Sequence, residues 1–272
     1  MLQSELEHFL QEDLGEDIYP DTTAGSTTTD ARVITKESGI IAGIYEASQI
    51  FNHFKIEIIS QVDDGTSVIT RTKILEVSGP ANGILKAERL ALNFIGRMSG
   101  IASLTHECKR LAGNVIIAGT RKTTPGFRKF EKKAIILGGG DPHRYNLSDT
   151  VMIKDNHIKL TGIKQAVINA KKAAGFTRKI EVEVENVNDA VKAAELGANI
   201  IMLDNRKPQE IKEIIQVLKD KNLREKIILE ASGRINPNNI EEYAETGIDV
   251  ISIGSLTHNA PRLDVSLTIT KK

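Results

Sequence analysis

The sequence holds a single cysteine, Cys108, in 272 residues. One cysteine rules out an intrachain disulfide framework and a cysteine-based zinc site, and it fits a reducing cytoplasm. Charge of one sign is also missing: 36 Lys and Arg balance 36 Asp and Glu, so the formal net charge is zero. General nucleic-acid binders carry a basic surplus, so that class is set aside, and any anion site must be a local concentration of charge. No apolar run approaches the ~18 residues that cross a bilayer. The opening stretch, MLQSELEHFLQEDLGED, is acidic without a long apolar core, unlike a signal or transit peptide. These absences lead to the expectation of a cytoplasmic chain with neither a nucleic-acid nor a membrane partner. The length allows one to two domains.

What is present is a rhythm in the second half. Runs rich in Val and Ile recur at Val115–Thr120, Thr150–Asn156, Lys179–Asn186, Asn199–Asn205, Lys226–Gly233 and Val250–Leu256. Bounded by turn residues, they read as buried parallel strands. Helical patterns lie between them. Thr161 is a candidate cap for a helix that stops at Gly175, another helix stops at Gly197, Pro208 stands at a first-turn position, and Asn236-Pro237 opens a helix that stops at Gly247. Strand then helix, repeated, predicts a parallel β/α barrel or a doubly wound sheet.

The first hundred residues read differently. Ala31–Ile44 suggests two strands around Glu37-Ser38-Gly39, and EASQIFNHF suggests a short amphipathic helix. IEIISQVDDGTSVIT and KILEVSGPANGILKAE suggest antiparallel strands with Asp-Gly and Gly-Pro turns, and Glu88–Leu111 suggests a long helix. The expected organisation is an α+β domain over residues 1–104 and a barrel domain over 105–265, with residues 266–272 returning to the first domain as a strand.

Each apolar run of the second half ends in polar or glycine residues. In a β/α barrel that end forms the active site. The cations there are Arg121, Lys122, Arg128, His143, Arg144 and Lys154, which implies a polyanionic small molecule gripped by arginine forks and lysine charge. Arg128, Lys129, Lys132 and Lys133 also read as a plain solvated helix face, and His106 and Cys108 as packing or surface. Ala231-Ser232-Gly233 and Gly254-Ser255, followed by His258, supply small residues where backbone can approach a phosphate. Glu183 and Asp204, from adjacent strands, suit a hard cation such as Mg²⁺ or ribose hydroxyls; a salt bridge to a barrel lysine is the plain alternative. Glu181 and Glu185 share the strand face of Glu183, so alternation leaves the choice among the three open. The loop GGGDPHRYNLSD, Gly138–Asp149, lacks the Lys-Ser/Thr or immediate helix start of a nucleotide phosphate loop.

The ordered motifs ERLALNFIGRMSGIAS, TRKTTPGFR, GGGDPHRYNLSDTVMIKDNHI, EVEVEN, IMLDN, LEASGRI and ISIGSLTH resemble the quinolinate phosphoribosyltransferase family, also called nicotinate-nucleotide pyrophosphorylase (carboxylating). EDLGEDIYPDTT is similar to its opening helix. The resemblance implies an N-terminal α+β sandwich domain followed by an incomplete parallel β/α barrel. It implies Mg²⁺-dependent transfer of phosphoribose from 5-phosphoribosyl-1-pyrophosphate to quinolinate, releasing carbon dioxide and pyrophosphate and giving nicotinate mononucleotide for NAD synthesis.

Residue by residue, the resemblance implies that Arg89, Arg121, Lys122, His143, Arg144 and Lys154 hold quinolinate, and that Lys122, Lys154, Glu183 and Asp204 serve catalysis. It implies that Glu183, Asp204, Ser232, Gly233, Gly254, Ser255 and His258 hold phosphoribosyl pyrophosphate, with Mg²⁺ at Glu183 and Asp204 directly or through water. It also implies a homodimer or larger even assembly in which Arg89 reaches a neighbouring site. The rivals are a molybdenum-transport-associated relative, nicotinate phosphoribosyltransferase, a Schiff-base aldolase using Lys154, and a phosphosugar-binding regulator.

Overall fold

The computed structural model describes residues 1–15 and 27–270. The chain divides into two compact units, Met1–Leu104 with Ala260–Lys272, and Thr105–Asn259.

The first unit contains α1 (Gln3–Leu14), β1 (Thr28–Thr35), β2 (Gly39–Ile40), α2 (Ile44–His53), β3 (Glu57–Gln61), β4 (Ser67–Val68), β5 (Lys73–Pro80) and most of α3 (Ala81–Ala112). The second unit holds β6 (Ile116–Ala118), α4 (Arg128–Leu137), β7 (Val151–Ile153), α5 (Asp155–Thr161), α6 (Ile163–Ala174), β8 (Ile180–Val184), α7 (Val187–Glu195), β9 (Ile200–Asp204), α8 (Pro208–Asp220), β10 (Ile228–Ser232), α9 (Ile240–Ala244), β11 (Val250–Ser252) and α10 (Ser255–His258). The last strand, β12 (Val265–Thr270), belongs to the first unit.

In the first unit β12-β1-β5-β3 form one antiparallel sheet. Alternation is visible in β1, where Ala31 and Val33 are fully buried and their neighbours are not. β1 and β2 are strands on either side of the Glu37–Gly39 turn, but they do not pair with each other; β2 pairs with β4. The residues read as a strand at Ala81–Glu88 are the first turns of α3. Pro80 closes β5 and the helix begins at once, because Ile84, Ala87, Leu90 and Ala91 are buried at helical spacing. Residues 260–265 group with this unit and not with the barrel: Lys36 N–H donates to Asp264 O at 2.8 Å and Leu263 N–H to Gly96 O at 3.0 Å. Of EDLGEDIYPDTT, α1 covers the beginning, and residues 16–23 lie outside the described residues.

The second unit is an incomplete barrel. Its parallel strands run in the order β6-β11-β10-β9-β8-β7. Among the described residues β6 and β7 are the two unpaired ends of the sheet, and Ala118 of β6 forms an isolated bridge with Asp141 in the segment after α4. All six expected strands are present. Helix ends depart from expectation in two places. Thr161 closes the short helix α5, and Gly162 precedes α6; its φ of +75° is one that glycine adopts without strain. Asn236 and Pro237 sit in a turn, and the helix starts at Ile240 behind Asn239. No helix among the described residues is long and apolar enough to cross a membrane.

Candidate active site

Alternation sorts the barrel strands into a lining and a backing. Val182, Val184, Ile201, Leu203, Leu229 and Ile251 are buried and take the parity that faces the surrounding helices. The other parity contributes Met152, Glu183, Met202, Asp204, Glu230, Ser232 and Ser252 to a cavity of about 590 Å³. The loops after β6 and before β7 add Gly119, Thr120, Arg121, Lys122, His143 and Arg144, and the end of β7 adds Lys154. Lys122, Ser232, Gly233 and Arg234 also line a contiguous recess of about 450 Å³ with Gly254, Ser255, His258 and Asn259. The barrel therefore brings Arg121, Lys122, His143, Arg144, Lys154, Glu183, Asp204, Ser232, Gly233, Gly254, Ser255 and His258 to one mouth. Arg128 lines neither space; it donates to Thr123 Oγ1 at 2.9 Å and Tyr145 O at 3.1 Å. Arg89 is exposed on α3, in the first unit.

The cavity is divided by charge. At one side Glu183 and Asp204 stand near each other, and Lys154 Nζ lies 3.5 Å from Glu183 Oε2. Partial burial raises the Glu183 pKa, the Lys154 charge opposes this, and the Asp204 charge adds to it. The expected alternative, an ion pair to a barrel lysine, is thus present, with a half-exposed lysine head that is free to exchange partners. Depth separates the three glutamates where parity does not: Glu185 is exposed beyond the strand, Glu183 lines the mouth, and Glu181 is fully buried.

The glycine positions have physical causes. At Gly233, φ is +100° and a Cβ would collide with the Asn205 side chain. At Gly140 a Cβ would lie 2.6 Å from Thr105 Cγ2 and 3.1 Å from Ile117 O, so the chain after α4 can press against β6. There Asp141 N–H donates to Ile117 O at 2.7 Å. His143, Asn205 and Arg234 have φ of +55°, +53° and +57°, an uncommon region for side-chain-bearing residues, which clusters at working sites.

Below the mouth lies a cluster that the sequence did not bring together. Glu181 and Glu230 are 0% and 2% exposed. His143 Nε2 is 3.2 Å from Glu230 Oε2 and 4.0 Å from Glu181 Oε2. Burial lowers the His143 pKa, but the Glu230 hydrogen bond and the charges of Glu230 and Glu181 outweigh it and raise it. Lys132, expected on a solvated helix face, is instead buried, its ammonium donating to Pro142 O; burial chiefly holds its pKa down at about 8. Cys108 is buried, which pushes its thiol up to about 12 and makes it a packing residue. The available signal was a carboxylate inside an apolar run, Glu181 in KIEVEVE and Glu230 in KIILEAS.

Burial, followed by the neighbouring Glu230 charge, raises Glu181 from 4.5 to about 7. A carboxyl raised on folding gives stability that is complete below its unfolded pKa and lost as pH rises through the folded one. Glu181→Gln should therefore raise the melting temperature at pH 8, by about 1–3 kcal/mol in stability, with the gain shrinking toward pH 5. Thermal denaturation at fixed ionic strength measures it, and an equal gain at both pH values would refute the assignment.

Comparison with known proteins places this geometry. The family model for the quinolinate phosphoribosyl transferase C-terminal domain matches residues 101–268, and that for the N-terminal domain matches residues 17–99. The chain is 44% identical to the probable nicotinate-nucleotide pyrophosphorylase (carboxylating) of Archaeoglobus fulgidus over 92% of this chain and 98% of that protein. It is 40% identical to the nicotinate-nucleotide pyrophosphorylase (carboxylating) of Rattus norvegicus over 96% of this chain and 88% of that one. Among solved structures, nicotinate-nucleotide pyrophosphorylase from Ehrlichia chaffeensis superposes with a TM-score of 0.92 at 32% identity, covering 99% of both chains.

Proposed function

The chain belongs to the quinolinate phosphoribosyl transferase family, and we propose that its barrel cavity transfers phosphoribose from 5-phosphoribosyl-1-pyrophosphate to the ring nitrogen of quinolinate, releasing pyrophosphate and carbon dioxide and giving nicotinate mononucleotide for NAD synthesis. The observation that carries this reading is one cavity with two chemically different ends. Arg121, Lys122, Arg144 and Lys154 suit the two carboxylates of quinolinate. Ser232, Gly233, Gly254, Ser255 and His258 suit the 5-phosphate, and Glu183 and Asp204, which line the mouth cavity, suit the ribose.

In this reading the cavity holds two anions against a shared reacting centre. The pyridine nitrogen forms a bond to ribose C1 as the C1–oxygen bond to pyrophosphate breaks. Positive charge grows at C1, and Glu183 and Asp204 stabilise it, while Lys122 stabilises the departing oxygen. The ring nitrogen is then cationic. The bond from C2 to its carboxylate breaks, its electron pair stays at C2 beside that nitrogen, and a proton from water completes the product. No covalent nucleophile is needed. The two carboxylates, both only partly buried and on adjacent strands, form a hard-oxygen pair that fits Mg²⁺. Glu183 and Asp204 would hold it, directly or through water, and it would neutralise charge on the pyrophosphate. The same proposal includes a cytoplasmic homodimer or larger even assembly, in which Arg89 enters the neighbouring subunit's site.

The test is direct. Purified protein given quinolinate, phosphoribosyl pyrophosphate and Mg²⁺ should form nicotinate mononucleotide and carbon dioxide in equal amounts. Equal turnover of nicotinate would defeat the substrate assignment. Borohydride trapping of a substrate on Lys154 would favour an aldolase instead.

A further inference from the structure

His143, Arg144 and Glu230 line two spaces at once: the mouth cavity above, and a cavity of about 280 Å³ below, which they share with Asp141, Thr150, Lys179, Glu181 and apolar residues of β6, β9, β10 and β11. They form a floor across the barrel. Neither ring nitrogen of His143 is spare. Nδ1 accepts the Arg144 N–H at 2.8 Å, so the ring proton sits on Nε2, which faces Glu230 Oε2 at 3.2 Å. His143 N–H donates to Asp141 Oδ1 at 2.6 Å. The residue holds a left-handed φ of +55°, a conformation that costs energy without side-chain support. Glu181 Oε1 and Oε2 and Glu230 Oε1 are buried and have no hydrogen-bond partner among the described residues. Buried, under-satisfied carboxylates are expensive, and the group they converge on is His143.

We propose that Glu230, backed by Glu181, is a positioning residue that anchors the His143 ring in the barrel floor, and through it sets the backbone of Arg144 so that this guanidinium faces the quinolinate end of the cavity. His143 then acts as the link between core and substrate, and its contact with the acid is secondary to that task. Arg144 shows the consequence: its Nη2 rests 2.8 Å from Met152 Sδ, beside the mouth. Ser232, two residues beyond Glu230 on the same strand face, lines the phosphate recess. One strand therefore sets both subsites, by different residues. The inference deepens the functional reading above and rests on it.

Glu230→Met removes the acceptor at nearly constant volume. Calorimetry on the full-length protein should show the quinolinate Kd rising at least about tenfold, with the phosphoribosyl pyrophosphate Kd within twofold. Glu230→Gln, which keeps an acceptor for Nε2, should bring quinolinate binding back to within threefold of wild type. In a His143→Ala background, Glu230→Met should add less than twofold. Equal losses for both ligands, unchanged quinolinate binding, or penalties that multiply in the double variant would each overturn the proposal. Should Glu230→Met fail to fold by circular dichroism, Glu230→Asp keeps the charge but withdraws it by one methylene; the same selective loss is expected, and unchanged quinolinate binding overturns the idea. Turnover is read separately in the wild type. Selective loss of quinolinate binding without turnover would refute the reaction and leave the anchor standing.

Discussion

Arg144→Ala is expected to raise the KM for quinolinate about a hundredfold, while the KM for phosphoribosyl pyrophosphate changes less than threefold. Arg144 lines the mouth cavity but not the recess formed by Ser232, Gly254 and His258, so its loss leaves the phosphate end untouched. The guanidinium is half-buried beside Met152, and a carboxylate facing the truncated site would meet no fork in its place. Losing one charged partner of a desolvated pair costs about 2–5 kcal/mol, largely because the other charge is stranded. Lysine at this position should recover little, since its point charge lacks the planar pair of donors. Steady-state kinetics with each substrate varied in turn decides the matter. A parallel rise in both KM values would mean that the two subsites are assigned to the wrong ends of the cavity.

Much of this was legible in the sequence because parallel barrel strands announce themselves. A strand covered on both faces is a short, nearly unbroken apolar run, and all six runs became strands. Polar residues at the ends of those runs marked the mouth. The α+β unit was harder. Its strands β2 and β4 have two residues each, too few to show a period, and their partners depend on the tertiary fold. The Ala81–Glu88 error has the same origin: over eight residues, Ile84, Leu85 and Ala87 fit either period until the rest of α3 extends the helical one.

The floor of the site was illegible for a different reason. Alternation tells which face of a strand a residue occupies and says nothing of its height in the barrel. Glu181, Glu183 and Glu185 share parity, but one is buried, one lines the mouth and one meets solvent. Their heights depend on the stagger between neighbouring strands, where Glu181 lies opposite Ile200 and Glu183 opposite Met202. The loop GGGDPHRYNLSD shows the same limit. Gly140 packs the chain against β6, and the step from Asp141 to His143 turns the imidazole toward carboxylates contributed by β8 and β10, about 40 and 90 residues away in sequence. No local pattern encodes that meeting.

Glu183→Gln and Asp204→Asn should each lower kcat by about 10²–10³, the size found when one preorganised group is removed from a developing charge, with the quinolinate KM within about threefold of wild type. The two readings of this pair predict different kinetics. If the carboxylates only hydrogen-bond ribose hydroxyls, they bind ground state and transition state alike, and their loss raises the phosphoribosyl pyrophosphate KM at constant kcat. If they face positive charge at ribose C1, that interaction grows as the bond to pyrophosphate breaks, and kcat falls with kcat/KM. Geometry favours the second. Glu183 already faces Lys154 at 3.5 Å, and the Asp204 charge raises the cost of ionising Glu183, a cost that an oxocarbenium-like centre beside it relieves. The double variant should lose less than the product of the single losses, because one remaining carboxylate does part of the work of two. Strictly multiplicative losses would assign the two carboxylates to separate tasks, one at the ribose and one at Mg²⁺.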